Sequence, residues 1–501
     1  MSFAAVLPSS LAKEVRALAL PWVACLACMV VPAAIDAPRF LGGISIPAYF
    51  FGTAALGALS IGHEYTGRTL SLFLSLPARR ERLLAVKLGV LAATLLILWY
   101  VASSLVFGIA RAPRAEQQMA ALLPALCGLF VAPWLTMACR NPIAGTVFTL
   151  TIPGVLLVAG ELIGIAKYGH GPVMEAFRMA FVWYGTLGFC AIGGVMSWFL
   201  FKRLEAIHGP GQDMRLPHWL RSGNAARAAA AQLTKYNPVW LLVKKELRLQ
   251  QLPLVLAALY ALVWTTAAWS TTLVSDSGYS YALGTATVLY AGLLSMLVGS
   301  SASAGERQIG TLEWQVLLPI AAWKQWAVKV GVVWGLAMLL ALGLPAALLS
   351  VSRLIRVNAA SFPQMEPATI AVTLLATGSL YVSSLCRSGL WALLMSIPAV
   401  VGSAMFLQLA FEWLGNPAYA AARRLASGMT PILRRPVYFM PPRTLTLLLI
   451  VGFIAIVLRF ALTNHRSADR AARRVWTQVI LMAAFVAAGV ITGAAWQAFR
   501  R

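Results

Sequence analysis

The chain is short of acid, and short of charge altogether. Among 501 residues there are 16 Asp and Glu and 5 His. Charged residues make up 11% of the chain and hydrophobic ones 60%, with a mean hydropathy of +0.78. Such a composition is too apolar for water, and its apolar runs reach the roughly 20 residues that cross a bilayer. An integral membrane protein is expected. The shortage of acid leaves 40 Lys and Arg unbalanced, for a formal charge of +24. In a soluble protein that would point to nucleic acid. Here the basic residues lie mostly in loops between apolar runs, and no basic stripe carries interleaved exposed aromatics, so a nucleic-acid partner is excluded. The charge reads as residues retained on the cytoplasmic side and drawn to anionic lipid.

Other shortages exclude chemistry. No G-x-x-x-x-G-K-[ST] phosphate loop exists, and Gly is nowhere followed directly by Lys, so nothing in the chain cradles a nucleotide phosphate in the usual way. The histidines His63, His170, His208, His218 and His465 are scattered, and His63-Glu64 lacks the second His of H-E-x-x-H. No catalytic residue and no metal set is therefore assigned. Six cysteines lie in or beside apolar runs. Cys25 and Cys28 have metal or redox spacing but no second pair nearby, and read as packing residues. Most spans lack the mid-bilayer Asp, Glu, Lys or His that a secondary transporter uses. Arg459 is close enough to its span end to snorkel, and Glu161 lies near an outer boundary. A secondary transporter and a membrane-embedded enzyme or assembly factor remain the alternatives.

What the chain does contain, it contains twice. Residues 62–90 read GHEYTGRTLSLFLSLPARRERLLAVKLGV and residues 304–332 read AGERQIGTLEWQVLLPIAAWKQWAVKVGV, without a gap. The offset is constant, since 306 less 64 and 329 less 87 are both 242. Glu64, Thr69, Leu70, Pro77, Lys87 and Gly89 thus recur as Glu306, Thr311, Leu312, Pro319, Lys329 and Gly331. Apolar spans share Leu and Ala by chance, but a Glu, Thr, Pro, Lys and Gly in fixed register mean internal duplication. KEVRALALP from Lys13 returns as KELRLQQLP from Lys245. That recurrence argues against reading the first thirty residues as a leader peptide. Both copies, with Lys13, Glu14 and Arg16 and with Lys245, Glu246 and Arg248, suit an elbow helix lying in the interface before the chain enters the bilayer.

Span-length runs fall at about 20–36, 44–62, 83–110, 118–139, 143–165 and 178–203, and again at about 253–274, 280–304, 326–351, 367–386, 389–413 and 443–464. Six spans return the chain to its starting side, so the second half repeats in parallel, not inverted. The expected fold is an all-α integral membrane protein of two parallel six-helix bundles, with an extra C-terminal span at about 475–498. The units are a first repeat (1–203), a cytoplasmic linker (204–236), a second repeat (237–464) and a basic turn with the thirteenth span (465–501). With the N-terminus cytoplasmic, inside segments of the first half hold 17 Lys and Arg and outside loops five. The second half has eight inside and seven outside, five of these from Arg423 to Arg443, so its orientation rests on the repeat.

A Glu at the cytoplasmic end of a second span, then Thr-Leu, a short apolar segment, Pro, a polar turn and a Lys entering the third span, resembles the membrane subunit of an ABC-2 type transporter. The resemblance runs from the first elbow to about residue 464. It implies a short coupling helix between spans two and three of each half, and a re-entrant segment between spans five and six. Coupling residues would then be Glu64, Thr69, Leu70, Leu72, Phe73, Pro77 and Lys87, with Glu306, Thr311, Leu312, Trp314, Pro319 and Lys329. Leu72, Phe73, Trp314 and Val316 would be apolar anchors. The glutamates would cap the element's own amides or meet a cation on the partner. The chain itself would carry no cofactor. ATP and Mg would be bound by two copies of a cytoplasmic ABC ATPase subunit, and the setting would be a bacterial inner membrane. Export is favoured, and the substrate is left open.

Overall fold

The computed structural model of the chain describes residues 3–34, 39–67, 69–70, 72, 75, 79–106, 121–169, 171–204, 238–271, 277–310, 321–354, 364–427, 443–466 and 472–500. Among them there are helices and no strands, and thirteen helical stretches are long and apolar enough to cross a membrane. The protein is an all-α, membrane-embedded chain.

The first six stretches are α1 (Phe3–Ala34), α2 (Arg39–Thr66), α3 (Arg80–Val101), α4 (Ala132–Cys139, the last part of a helical stretch from Ala121), α5 (Pro142–Tyr168) and α6 (Pro172–Lys202). There follow α7 (Pro238–Leu249), α8 (Gln251–Thr271), α9 (Ser277–Ile309), α10 (Ala322–Leu336) running on into α11 (Leu344–Leu354), α12 (Met365–Leu385), α13 (Gly389–Ala410) continued by α14 (Asn416–Ser427), α15 (Arg443–Arg466) and α16 (Ala472–Arg500).

Three of these continuations are widened π turns, at Cys127–Val131, Ala337–Gly343 and Phe411–Gly415. Each ends two residues before a proline, Pro133, Pro345 or Pro417. A proline removes one helical hydrogen bond and crowds the carbonyl four residues earlier, and one wider turn relieves that crowding without ending the helix. Two carbonyls in these turns take side-chain donors. The Tyr290 hydroxyl donates to Leu340 O at 3.0 Å, and the Ser197 hydroxyl to Phe130 O at 3.4 Å.

The elbow expected before the first span is not a separate element: α1 runs unbroken through it. The second copy does break. Gln250 takes a tight backbone bond from its amide to Leu247 O, and its side-chain amide donates to Val298 O on α9, which separates α7 from α8. Helix α5 continues to Tyr168 and α6 begins at Pro172, so the stretch expected to be re-entrant in the first half is helical up to Tyr168 and again from Pro172. Residues 205–237, which include most of the expected linker, lie outside the described residues.

The centre of the bundle is built on α2 and α9, its most buried spans. Helix α2 packs on α1, α4 and α5, and α9 on α8, α12 and α13. The two sets meet where α1 touches α13, α8 touches α5, and α13 touches α2 and α5. Glycine sets the closest approaches. A Cβ on Gly57 would lie 1.9 Å from Gly128 O, and one on Gly299, 242 positions later, would lie 2.0 Å from the Ser379 hydroxyl and 2.5 Å from Ala376 O. In a membrane, such small-residue contacts let helices approach until dispersion holds them together. Helices α6, α15 and α16 are peripheral. The thirteenth helix, α16, packs along α13, α14 and α15.

Candidate functional site

At the end of the bundle where α2 leads towards α3, and α9 towards α10, two clusters of buried charge occupy matching positions. We call this the cluster end. In the first, Lys87 on α3 is 2% exposed. Its ammonium lies 2.7 Å from Glu14 Oε1 on α1 and 3.2 Å from Glu64 Oε1 on α2, and donates to Ser60 O at 3.2 Å. An ammonium has three N–H donors, and these are its three acceptors. Lys13 adds a second contact to Glu64, at 2.7 Å, from a half-exposed position.

In the second cluster Lys329 on α10 is fully buried. It lies 2.5 Å from Glu306 Oε2 on α9 and 3.4 Å from Glu246 Oε1 on α7, and donates to Ala302 O at 2.8 Å. Lys245 meets Glu306 at 2.5 Å. Even the carbonyl is in register, since Ser60 and Ala302 each stand four residues before the glutamate. Each cluster thus balances two carboxylates against two ammonium groups, the arrangement under which buried charge is tolerated. Burial pushes the Glu246 carboxyl up to about 7; the Lys329 charge opposes the shift and the Glu306 carboxylate adds to it.

Of the residues expected to form an elbow and a coupling element, Lys13, Glu14, Glu64 and Lys87 meet in one cluster, and Lys245, Glu246, Glu306 and Lys329 in the other. Glu14 and Glu246 face inward, while Arg16 and Arg248 are exposed. Apolar Leu11, Val15 and Leu247 turn outward, as suits lipid. Glu64 and Glu306 find their cations within the chain. Glu64 also holds the start of the following stretch: the Thr69 hydroxyl donates to its Oε2, and the Thr69 amide to its backbone carbonyl at 3.1 Å. Leu70 is half-buried against the apolar cluster of Ile61, Leu83, Leu84 and Phe201, and Leu72 is exposed. Phe73, Pro77, Thr311, Leu312, Trp314, Val316 and Pro319 lie outside the described residues.

The clusters differ at one edge. His63 joins the first, its Nε2 3.1 Å from Glu64 Oε1 and 3.7 Å from Glu14 Oε2. Its Nδ1 lies 2.9 Å from Leu59 O, a carbonyl that only accepts, so Nδ1 carries the hydrogen. The position 242 later is Gly305. Glu14, His63 and Glu64 bring ligand-type atoms within 4.8 Å of one another. Their counter-charge is already supplied by Lys13 and Lys87, so the set is an ion-pair cluster and not a fitted metal site.

Beside the second cluster, His465 on α15 packs its ring against Trp326 with centroids 5.4 Å apart. Its neighbour Asn464 exchanges two amide hydrogen bonds with Gln478 on α16, at 3.0 and 3.1 Å, and Tyr381 on α12 donates to the same Gln478 at 2.9 Å. This buried polar net was not foreseen from sequence. Its only sequence signal is amide side chains inside apolar runs, at Asn464 and Gln478. Comparison of the chain with family models, curated proteins and solved structures found no match.

Proposed function

We propose that this chain is the membrane-spanning subunit of an ATP-driven ABC-2 type transporter, an exporter in which two parallel six-helix repeats form the whole translocation bundle. Two separate cytoplasmic ATPase subunits would dock on residues 69–76 and 311–318. The observation that carries this reading is the pair of ion clusters in one register. Each joins the segment that leads into its repeat's first span (the start of α1 in the first copy, the separate α7 in the second), the end of the second span and the start of the third, so a push on the intervening stretch would reach three helices together. Thr69 on Glu64 is the direct link in the first copy. With no phosphate loop in the chain, ATP hydrolysis belongs to the partner.

The test is the mass of the detergent-extracted complex. Two ATPase subunits per chain are expected, and transport by the chain without any ATPase partner would refute the reading. A second reading, an ion-coupled secondary carrier, draws support from carboxylates buried within spans. It is weaker because each carboxylate already holds a lysine. Transport driven by an imposed ion gradient in vesicles without nucleotide would favour it.

A further inference from the structure

The seam between α3 and α6 ends, at the cluster end, in a group of cations that neither ion cluster uses. Arg79, Arg82, Lys202 and Arg203 are exposed there. Arg80 donates from Nη1 to Lys202 O at 2.5 Å and Leu204 O at 3.1 Å, which fastens the first turn of α3 to the last turn of α6. Among the described residues here the one acid is Glu81, 2.7 Å from Lys202, with both side chains about half exposed. A pair so exposed holds its partners weakly. The Arg79 side chain caps no amide of α3, so the positive end of that helix faces the same place.

Above these cations both helices present wide apolar faces. Leu96 and Tyr100 on α3, and Ile192, Val195 and Phe199 on α6, are among the most exposed hydrophobic side chains. Trp198 sits between the two zones with Lys202 Nζ 4.7 Å from its ring centroid, the position of an aromatic at a headgroup boundary. The second half does not repeat the feature. The residues 242 positions after Arg79, Arg80 and Glu81 are Ala321, Ala322 and Trp323, and only Arg82 has a basic counterpart, Lys324.

We propose that this end of the α3–α6 seam binds the phosphate of an anionic phospholipid, its headgroup among Arg79, Arg82, Lys202 and Arg203 and its acyl chains against the outer faces of the two helices. Phosphate suits the site because exposed arginines and a lysine are gathered where the α3 N-terminus is tied to the end of α6, and arginine forks and helix N-termini both favour a phosphate. The apolar faces running away from it select a lipid over a free anion.

The full chain is purified in detergent and placed in nanodiscs of phosphatidylcholine with or without phosphatidylglycerol, and bound lipid is counted by native mass spectrometry. The wild type is expected to retain phosphatidylglycerol through delipidation and to melt at higher temperature with it than with phosphatidylcholine. Each basic residue near an anionic surface contributes about fivefold to lipid affinity, so Arg79→Gln/Arg82→Gln/Arg203→Gln together should weaken retention on the order of a hundredfold. Arg80 is left intact because it ties α6. Equal retention by wild type and variant would overturn the proposal. So would inorganic phosphate raising the melting temperature as much as phosphatidylglycerol does, which would make the site one for a free anion. Unchanged lipid retention with loss of a copurifying protein would assign the arginines to that protein instead. Should the triple variant not fold, the wild-type comparison of the two lipids and phosphate decides alone.

Discussion

Lys87 and Lys329, 242 positions apart, hold their ammonium groups in equivalent cages. Each has a carboxylate from the second span of its repeat, a carboxylate from the stretch leading into the first span (Glu14 near the start of α1, Glu246 on α7), and a backbone carbonyl one turn before the former. All three donors are occupied in both, so neither lysine can be removed without orphaning acceptors on two helices.

Replacing either lysine with methionine should therefore be costly. Breaking a buried pair from one side typically costs about 3–5 kcal/mol. Lys87→Met and Lys329→Met are expected to lower the yield of monodisperse protein and its melting temperature sharply, while Lys202→Met, at a half-exposed pair, changes either little. Size-exclusion profiles and thermal melts in detergent decide. The same argument makes Glu64→Ala and Glu306→Ala structural lesions first and coupling lesions second.

Glu246 gives a pH dependence with a definite sign. Its folded value, about 7, lies above the usual 4.5. The folded state thus binds the proton more tightly, and this contribution to stability is present at low pH and lost as pH rises from about 4.5 to about 7. Glu246→Gln abolishes that titration. The melting temperature of the wild type relative to this variant should move in favour of the wild type as pH falls from about 8 to about 5. A constant gap would contradict it.

Gly57 and Gly299 should tolerate nothing larger. Gly299→Ala places a Cβ 2.5 Å from the Ala376 carbonyl, and backbone cannot yield as a side chain does. Overpacking of this kind costs about 1–3 kcal/mol or more. Gly89 and Gly331, the glycines that recur within the duplicated stretch, have open space where a Cβ would go. Their alanine variants should melt at or above the wild-type temperature.

Docking on the two stretches predicts unequal consequences. Trp314→Ala should weaken ATPase copurification more than Arg79→Ala, because a buried Trp can anchor an interface by about 2 kcal/mol or more while exposed charge at its rim is screened. Equal retention of the partner by both variants would count against these stretches as the docking elements.

Orientation can be read chemically. Single cysteines placed near Ala78 and near Ser222 should both escape an impermeant thiol reagent in intact cells. Labelling of either from outside would reverse the topology.

Much of this was legible in the sequence, and the limits have physical causes. The thirteen spans follow from run length and hydropathy alone. The Glu and Lys of the duplicated stretch were visible by their fixed spacing. What spacing could not give was rotation: Glu14 lies between exposed neighbours and Glu246 beside exposed Leu247, and only packing shows that they, and not Leu11 or Val15, turn inward. Polar and apolar faces exchange meaning when the outside is lipid, so an amphipathic pattern near a membrane boundary does not say which face is buried. The meeting of α1 with α3 through Lys87 spans 73 positions and leaves no local trace. Continuity of α1 through its expected elbow was equally hidden. The second copy breaks at Gln250, whose side chain is tied to α9, whereas α1 continues through Val15 to Leu20 without interruption. Three π turns had a usable signal, a proline two residues on, but a fourth at Ala102–Val106 has none, and prolines at Pro153 and Pro398 sit inside helices without a π turn.

The edge where the first cluster has His63 and the second has Gly305 carries a consequence for assembly. Two identical subunits would be obliged to place a histidine at both clusters or at neither, whereas two copies on one chain are free to drift apart. One cluster here has acquired an imidazole; the other has a tryptophan and a histidine stacked beside it and a further helix tied to it by Asn464 and Gln478. Two identical motors pressing on this chain would press on unlike seats, so their strokes would be distinguishable by which half yields first.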